Sequence, residues 1–121
     1  MNSIAGLINL KDAVLKHQEL EAFKNNFLKR GEHFESMSLP NNSGLFFSTS
    51  YFKKQNITEF ENFIIIFSGR FDNKKEIKQL LKIDINESLP DSKLALLAFI
   101  KMGEKSFNTF CGSFSFVILN K

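Results

Sequence analysis

FIIIFSGRFDNKKEIKQLL, residues 63–81, decides how the rest of the chain is read. Five consecutive apolar residues, Phe63 to Phe67, do not alternate with polar ones, which predicts a strand covered on both faces. They run into Ser68-Gly69-Arg70, read as a small polar turn, and a lysine-rich helical pattern follows. A buried strand that stops at a tight polar turn ahead of a helix is where many α/β proteins hold a ligand. Asp72 or Asn73 is placed to cap KKEIKQLLKI, with Ile77, Leu80, Leu81 and Ile83 as its inner face.

Upstream, SIAGLINL (3–10) reads as a short buried strand, and Asp12 as the N-cap of a helix ending at Gly31. Ala13, Leu20, Phe23 and Phe27 share one face of that helix. GEHFESMSLPNNS (31–43) is polar and carries Pro40, so a loop is expected. GLFFSTSYF (44–52) is rich in strand formers, and KKQNITEFEN reads as a turn. Downstream, Pro90 opens DSKLALLAFIKMG, a helix apolar nearly all round that belongs deep between layers and ends at Gly103. EKSFNTF reads as a short helical turn, and in CGSFSFVIL Phe114, Phe116 and Ile118 alternate like a strand. The expected order is β-α-β-β-α-α-β. The strands at 44–52 and 63–67 should form an antiparallel hairpin, and a mixed α/β or α+β layering fits better than a wound parallel sheet.

With 121 residues the chain suits one domain, residues 1–121, and its 43% apolar content with fifteen Phe argues against disorder. Sixteen basic and thirteen acidic residues leave +3, spread along helix faces at Lys74, Lys75, Lys78 and Lys82. That pattern reads as a solvated surface, and nucleic acid is not an expected partner. A lone cysteine, Cys111, excludes an internal disulfide and any multi-cysteine metal site. No signal peptide is apparent, and no apolar stretch approaches the ~20 residues that span a bilayer. No membrane partner is expected, and a soluble, cytoplasmic protein is the default.

Little conventional chemistry is visible. His17 and His33 lack ligand-spaced partners, so no metal is expected, and no glycine-rich phosphate loop is present, so no cofactor is. Cys111, between Phe110 and Gly112, reads as a buried, inert core thiol rather than a nucleophile.

Four pieces in order carry a resemblance: MNSIAGLINL, LKRGE, IIIFSGRFDNKKEIKQLL and LPDSKLALLAFIKMGEKSFNTFCGSFSFVIL. Together they resemble the glutaminase domain of asparagine-synthetase-type (class II) glutamine amidotransferases. The last piece is the most specific, with a Gly-Glu pair, a short spacer and Gly-x-Phe-x-Phe-x-Ile. The resemblance implies an α+β, N-terminal-nucleophile-hydrolase fold of stacked sheets flanked by helices, incomplete in this chain. That domain continues past the Gly-x-Phe strand in the family, and a synthetase domain with a Ser-Gly-Gly-x-Asp-Ser pyrophosphate loop follows.

The departures lie at the reacting positions. The family's second residue is a cysteine whose thiolate attacks the glutamine amide while its freed α-amine acts as base. Here it is Asn2, a carboxamide that cannot act so, and behind it Met1 is expected to stay. The family's Asn-Gly oxyanion donors match Ser68-Gly69, and the following Glu matches Arg70. The aspartate that holds the glutamine α-amine matches Asp91, which otherwise reads as the N-cap of its helix. The arginine that grips the glutamine carboxylate has no counterpart in LFFSTSYF.

The resemblance therefore implies a catalytically inactive glutaminase-like domain, a structural or docking module for an ATP-dependent amide-forming synthetase. Related synthetases that make asparagine, β-lactams or lasso-peptide macrolactams set the class of partner. An exposed sheet edge predicts a homodimer or a heteromer. The alternative is an amino-acid-sensing module that uses a remnant pocket at Ser68, Gly69 and Asp91.

Overall fold

The computed structural model describes residues 2–9, 17–29, 31–41, 43–49 and 56–121. The chain divides into two compact units, Met1–Lys53 and Lys54–Lys121. Among the described residues the architecture is α+β, with two three-stranded antiparallel sheets and three α-helices.

In the first unit the elements are β1 (Asn2–Leu7), α1 (His17–Leu28), β2 (His33–Leu39) and β3 (Ser43–Thr49). β3 is the central strand, antiparallel to both neighbours, with Phe46 opposite Ala5 on one side and Ser36 on the other. Its aromatic content explains the placement, because a central strand needs side chains that fill both faces. Phe46 meets Phe23 and Phe27 of α1 at ring-centroid distances of 5.8 and 6.3 Å, and Phe34 of β2 stacks on it at 6.0 Å. Leu45 and Phe47, on the opposite face, are also buried. The backbone N–H of Asn9 donates to Ser43 Oγ (2.8 Å), tying the segment after β1 to the start of β3.

The second unit contains β4 (Ile57–Phe60), β5 (Phe63–Phe71), α2 (Lys74–Leu81), α3 (Asp91–Met102), a 3-10 helix (Gly103–Thr109) and β6 (Gly112–Asn120). Its sheet runs β4-β5-β6. Ile65, Phe67 and Phe71 project from one face of β5 into a core with Ile77 of α2 and Leu94, Ala95 and Leu96 of α3. Phe110, Phe114 and Phe116 close that core as a continuous aromatic cluster, Phe71 to Phe110 being 4.7 Å and Phe67 to Phe116 6.3 Å. Complete burial of such side chains contributes about 1.5–3 kcal/mol each. α3 lies deep, as its apolar circumference requires, and Gly103 ends it at φ 63°.

The structure corrects several expectations. The loop expected over 31–43 contains β2, and the turn expected in KKQNITEFEN contains β4, at its 57–60 end. The strands expected to pair as a hairpin, around 44–52 and 63–67, belong to different sheets. The adjacent partners are β2 with β3 and β4 with β5. Ser68-Gly69-Arg70 is not a turn: β5 continues through it to Phe71, paired with β6 as Ser68 to Ser115 and Gly69 to Phe114. The strand actually ends at Asp72-Asn73. Leu80 is exposed rather than inward, whereas Ile77 is buried and Leu81 and Ile83 pack against the core. His33 lies in β2, not in a loop. The expected cap Asp12, and Ala13, Leu10 and Tyr51, lie outside the described residues. No described helix is long and apolar enough to cross a membrane.

Candidate functional site

Gly69 sits mid-strand at φ +120°, and a Cβ there would run into the carbonyl oxygen of Ser113 and stand 2.6 Å from Phe114 Cα. Only glycine permits both that backbone angle and that approach. Ser68 precedes it, and by strand alternation its side chain belongs to the sheet face opposite Phe67 and Phe71. Arg70 reaches Asp72 through its Nε (3.1 Å), an exposed pair worth at most about 1 kcal/mol.

Asp91 opens α3 but does not cap it. Pro90 holds the cap position and has no side-chain acceptor to cap with, while the Asp91 carboxylate is directed across to the end of β5. Its Oδ2 accepts the Phe71 backbone N–H at 2.9 Å, and its Oδ1 pairs with Lys74 Nζ at 2.9 Å. The Asp91 side chain is only 4% exposed, so an unpartnered charge there would be costly, and both oxygens are engaged. Lys74, expected to be a solvated helix-face lysine, is therefore the counter-charge of a buried carboxylate. No spacing in the sequence links the two, since only the packing of α3 across the start of α2 brings them together.

Asn73 occupies the cap position of α2, again without a capping bond. Its side-chain amide donates to the Thr109 carbonyl (2.7 Å) and to Glu76 (3.2 Å), and its Oδ1 accepts the Cys111 N–H (3.0 Å). The Asp72 N–H donates to the Cys111 carbonyl (2.8 Å). Cys111 itself is exposed, contrary to the buried thiol expected. The inward face of β6 begins only at Phe114, and Cys111 precedes the strand.

The sequence-picked residues are thus only partly gathered. Gly69 and Asp91 both attach to the last residues of β5, and Ser68 lies on the other sheet face. The Asn2 backbone lies in β1 of the first unit, paired with Thr49. Among the described residues no group of three or more His, Cys, Asp or Glu is placed to hold a metal. A cavity of about 420 Å³ between β1 and α1, lined by Ser3, Ile4, Ala5, Phe23, Asn26 and Phe27, offers no titratable side chain among the described residues. Comparison with models of known protein families gives no match to this chain, and no curated protein matches it.

Proposed function

We propose that the chain is a catalytically silent glutaminase-like module that docks onto an ATP-dependent amide-forming synthetase. The observation that carries the silence is the commitment of Asp91. The position that would receive the α-ammonium of glutamine already holds the ammonium of Lys74, and Phe71 N–H occupies the other oxygen. Asn2 at the nucleophile position removes the attacking group as well. Oxyanion donors alone leave only a small residue of catalysis. The N-terminal-nucleophile-hydrolase layering and the synthetase partner rest on the resemblance of the four sequence pieces.

Docking is favoured by the edge of the second sheet. Among the described residues β6 is an edge strand, and its nine residues, Gly112–Asn120, include no charged residue and no proline. Natural edges left in water usually carry such guards against pairing. The test is to co-express the tagged chain with the reading frames that adjoin its own. Co-purification of a synthetase bearing a Ser-Gly-Gly-x-Asp-Ser pyrophosphate loop is expected. A chain that purifies alone, or with a protein of another class, overturns the docking role. The second reading, an amino-acid sensor at Ser68, Gly69 and Asp91, requires an incoming ammonium to displace Lys74. Calorimetric titration with glutamine, glutamate and asparagine separates the two readings, and no heat of binding is expected.

A further inference from the structure

A second place in the unit Lys54–Lys121 has chemistry that the glutaminase-like reading does not use. A cavity of about 440 Å³ opens between β4 and the start of α3, lined by Ile57, Thr58 and Glu59 on one side and Leu89, Pro90 and Lys93 on the other. Its two walls are pinned together by a hydrogen bond between the Thr58 and Ser92 hydroxyls at 2.8 Å. Lys93 Nζ lies 3.6 Å from the centroid of the Phe60 ring. The ring face attracts the amine tip weakly, by about 0.5–1 kcal/mol, and gives its N–H groups no acceptor. No hydrogen bond or ion pair to Lys93 Nζ forms among the described residues. Glu59 is bound to Lys121 instead. Burial lowers the Lys93 pKa below 10.5, and the Glu61 carboxylate, beyond ion-pairing distance, opposes that only in part.

Lys93 thus has no protein acceptor among the described residues for its amine in the wall of a cavity large enough for a small molecule, and once it loses its proton it is placed to act as a nucleophile. We propose that Lys93 is a carbonyl-capturing amine and that the cavity admits a small aliphatic aldehyde. Its Nζ attacks the carbonyl carbon, forming an N–C bond, while the carbonyl oxygen takes up a proton to give a carbinolamine. That oxygen then leaves as water, taking the second amine proton in the overall balance, and a C=N bond remains. No oxidant or reductant is required, and hydrolysis reverses the step. Glu59 and Thr58 line the same cavity and are the groups available to carry protons. Ile57, Leu89 and Pro90 supply apolar surface for an alkyl chain. The inference is independent of the glutaminase-like reading.

The experiment treats the full chain with butanal and cyanoborohydride, which fixes imines as stable secondary amines, and maps the modified lysines by peptide mass spectrometry. Lys93 is expected to react faster than the exposed Lys75, Lys101 and Lys105 by about threefold or more, because the cavity holds the aldehyde beside its amine. Its rate should saturate with butanal concentration while theirs stays linear, because only Lys93 reacts from a bound complex. Its pH midpoint should fall below 10.5, with Glu61 the charge that acts on it and Glu59, paired with Lys121, lining the same cavity. Lys93→Arg should abolish that adduct and leave the others at their rates. A linear Lys93 rate, or one no faster than the exposed lysines, overturns the proposal.

Discussion

Gly69 reads in the sequence as part of a turn, and the structure makes it a strand residue. A polar tripeptide after five apolar residues looks like a turn, whereas the backbone there remains paired to β6, and the constraint is the close approach of Ser113 and Phe114. Gly69→Ala should therefore destabilise by about 2–4 kcal/mol, combining backbone strain with overpacking. Gly103→Ala, at φ 63° and ψ −150° but with nothing within 4 Å of the new methyl, should cost less, about 1–3 kcal/mol from backbone strain alone. Urea midpoints of the two variants check the order, and equal losses would place the Gly69 constraint in φ alone. Asp91 was picked out in the sequence as a site or cap residue, while its real partners are 17 and 20 positions away. Asp91→Ala strands a buried N–H and should cost about 2–4 kcal/mol. Lys74→Met leaves a carboxylate that is 4% exposed without its counter-charge and should cost about 1–3 kcal/mol, the half-exposed lysine keeping it below Asp91→Ala. A larger loss for Lys74→Met than for Asp91→Ala in the same unfolding measurement would contradict this assignment.

At the scale of elements, the helices, the two central strands and the edge strands β1 and β6 were readable, and the edge strands β2 and β4 were not. β3 and β5 are dense in Phe, Ile and Leu because both faces are buried, and α3 is apolar for the same reason. β2 and β4 lie at sheet edges, so HFESMSL and ITEF bury only part of their surface and carry Glu and Ser, which reads as loop. Register is likewise invisible locally: the hairpins close through short turns at Pro40-Asn41 and Glu61-Asn62, with Asn41 and Glu61 in the left-handed region. Asn73 joins elements rather than capping one, since it fixes the start of α2 to the segment that leads into β6. Asn73→Ala should lower stability by about 2–3 kcal/mol, and Asn73→Asp should recover part of that, because it still accepts the Cys111 N–H. An Asn73→Ala variant whose unfolding midpoint matches the parent would show that this junction is held by packing alone.

For the whole molecule, composition and element order sufficed for an α+β class and for a chain rich enough in Phe to build its cores. They did not reveal two separate three-stranded sheets, because sheet membership depends on contacts far apart in sequence. The two central strands predict where exchange should be slowest: amides of β3 and β5 should outlast those of β1, β2, β4 and β6. Hydrogen exchange followed by mass spectrometry checks that ranking, and faster exchange in β5 than in β4 would contradict the sheet order. The functional account turns on catalytic silence, with Asn2 at the nucleophile position and Asp91 held by Lys74. Its most direct test is glutamate release from glutamine by the purified chain, with the state of Met1 established by intact mass. The account predicts no release above a protein-free control. Release above that control, proportional to protein concentration, would contradict it.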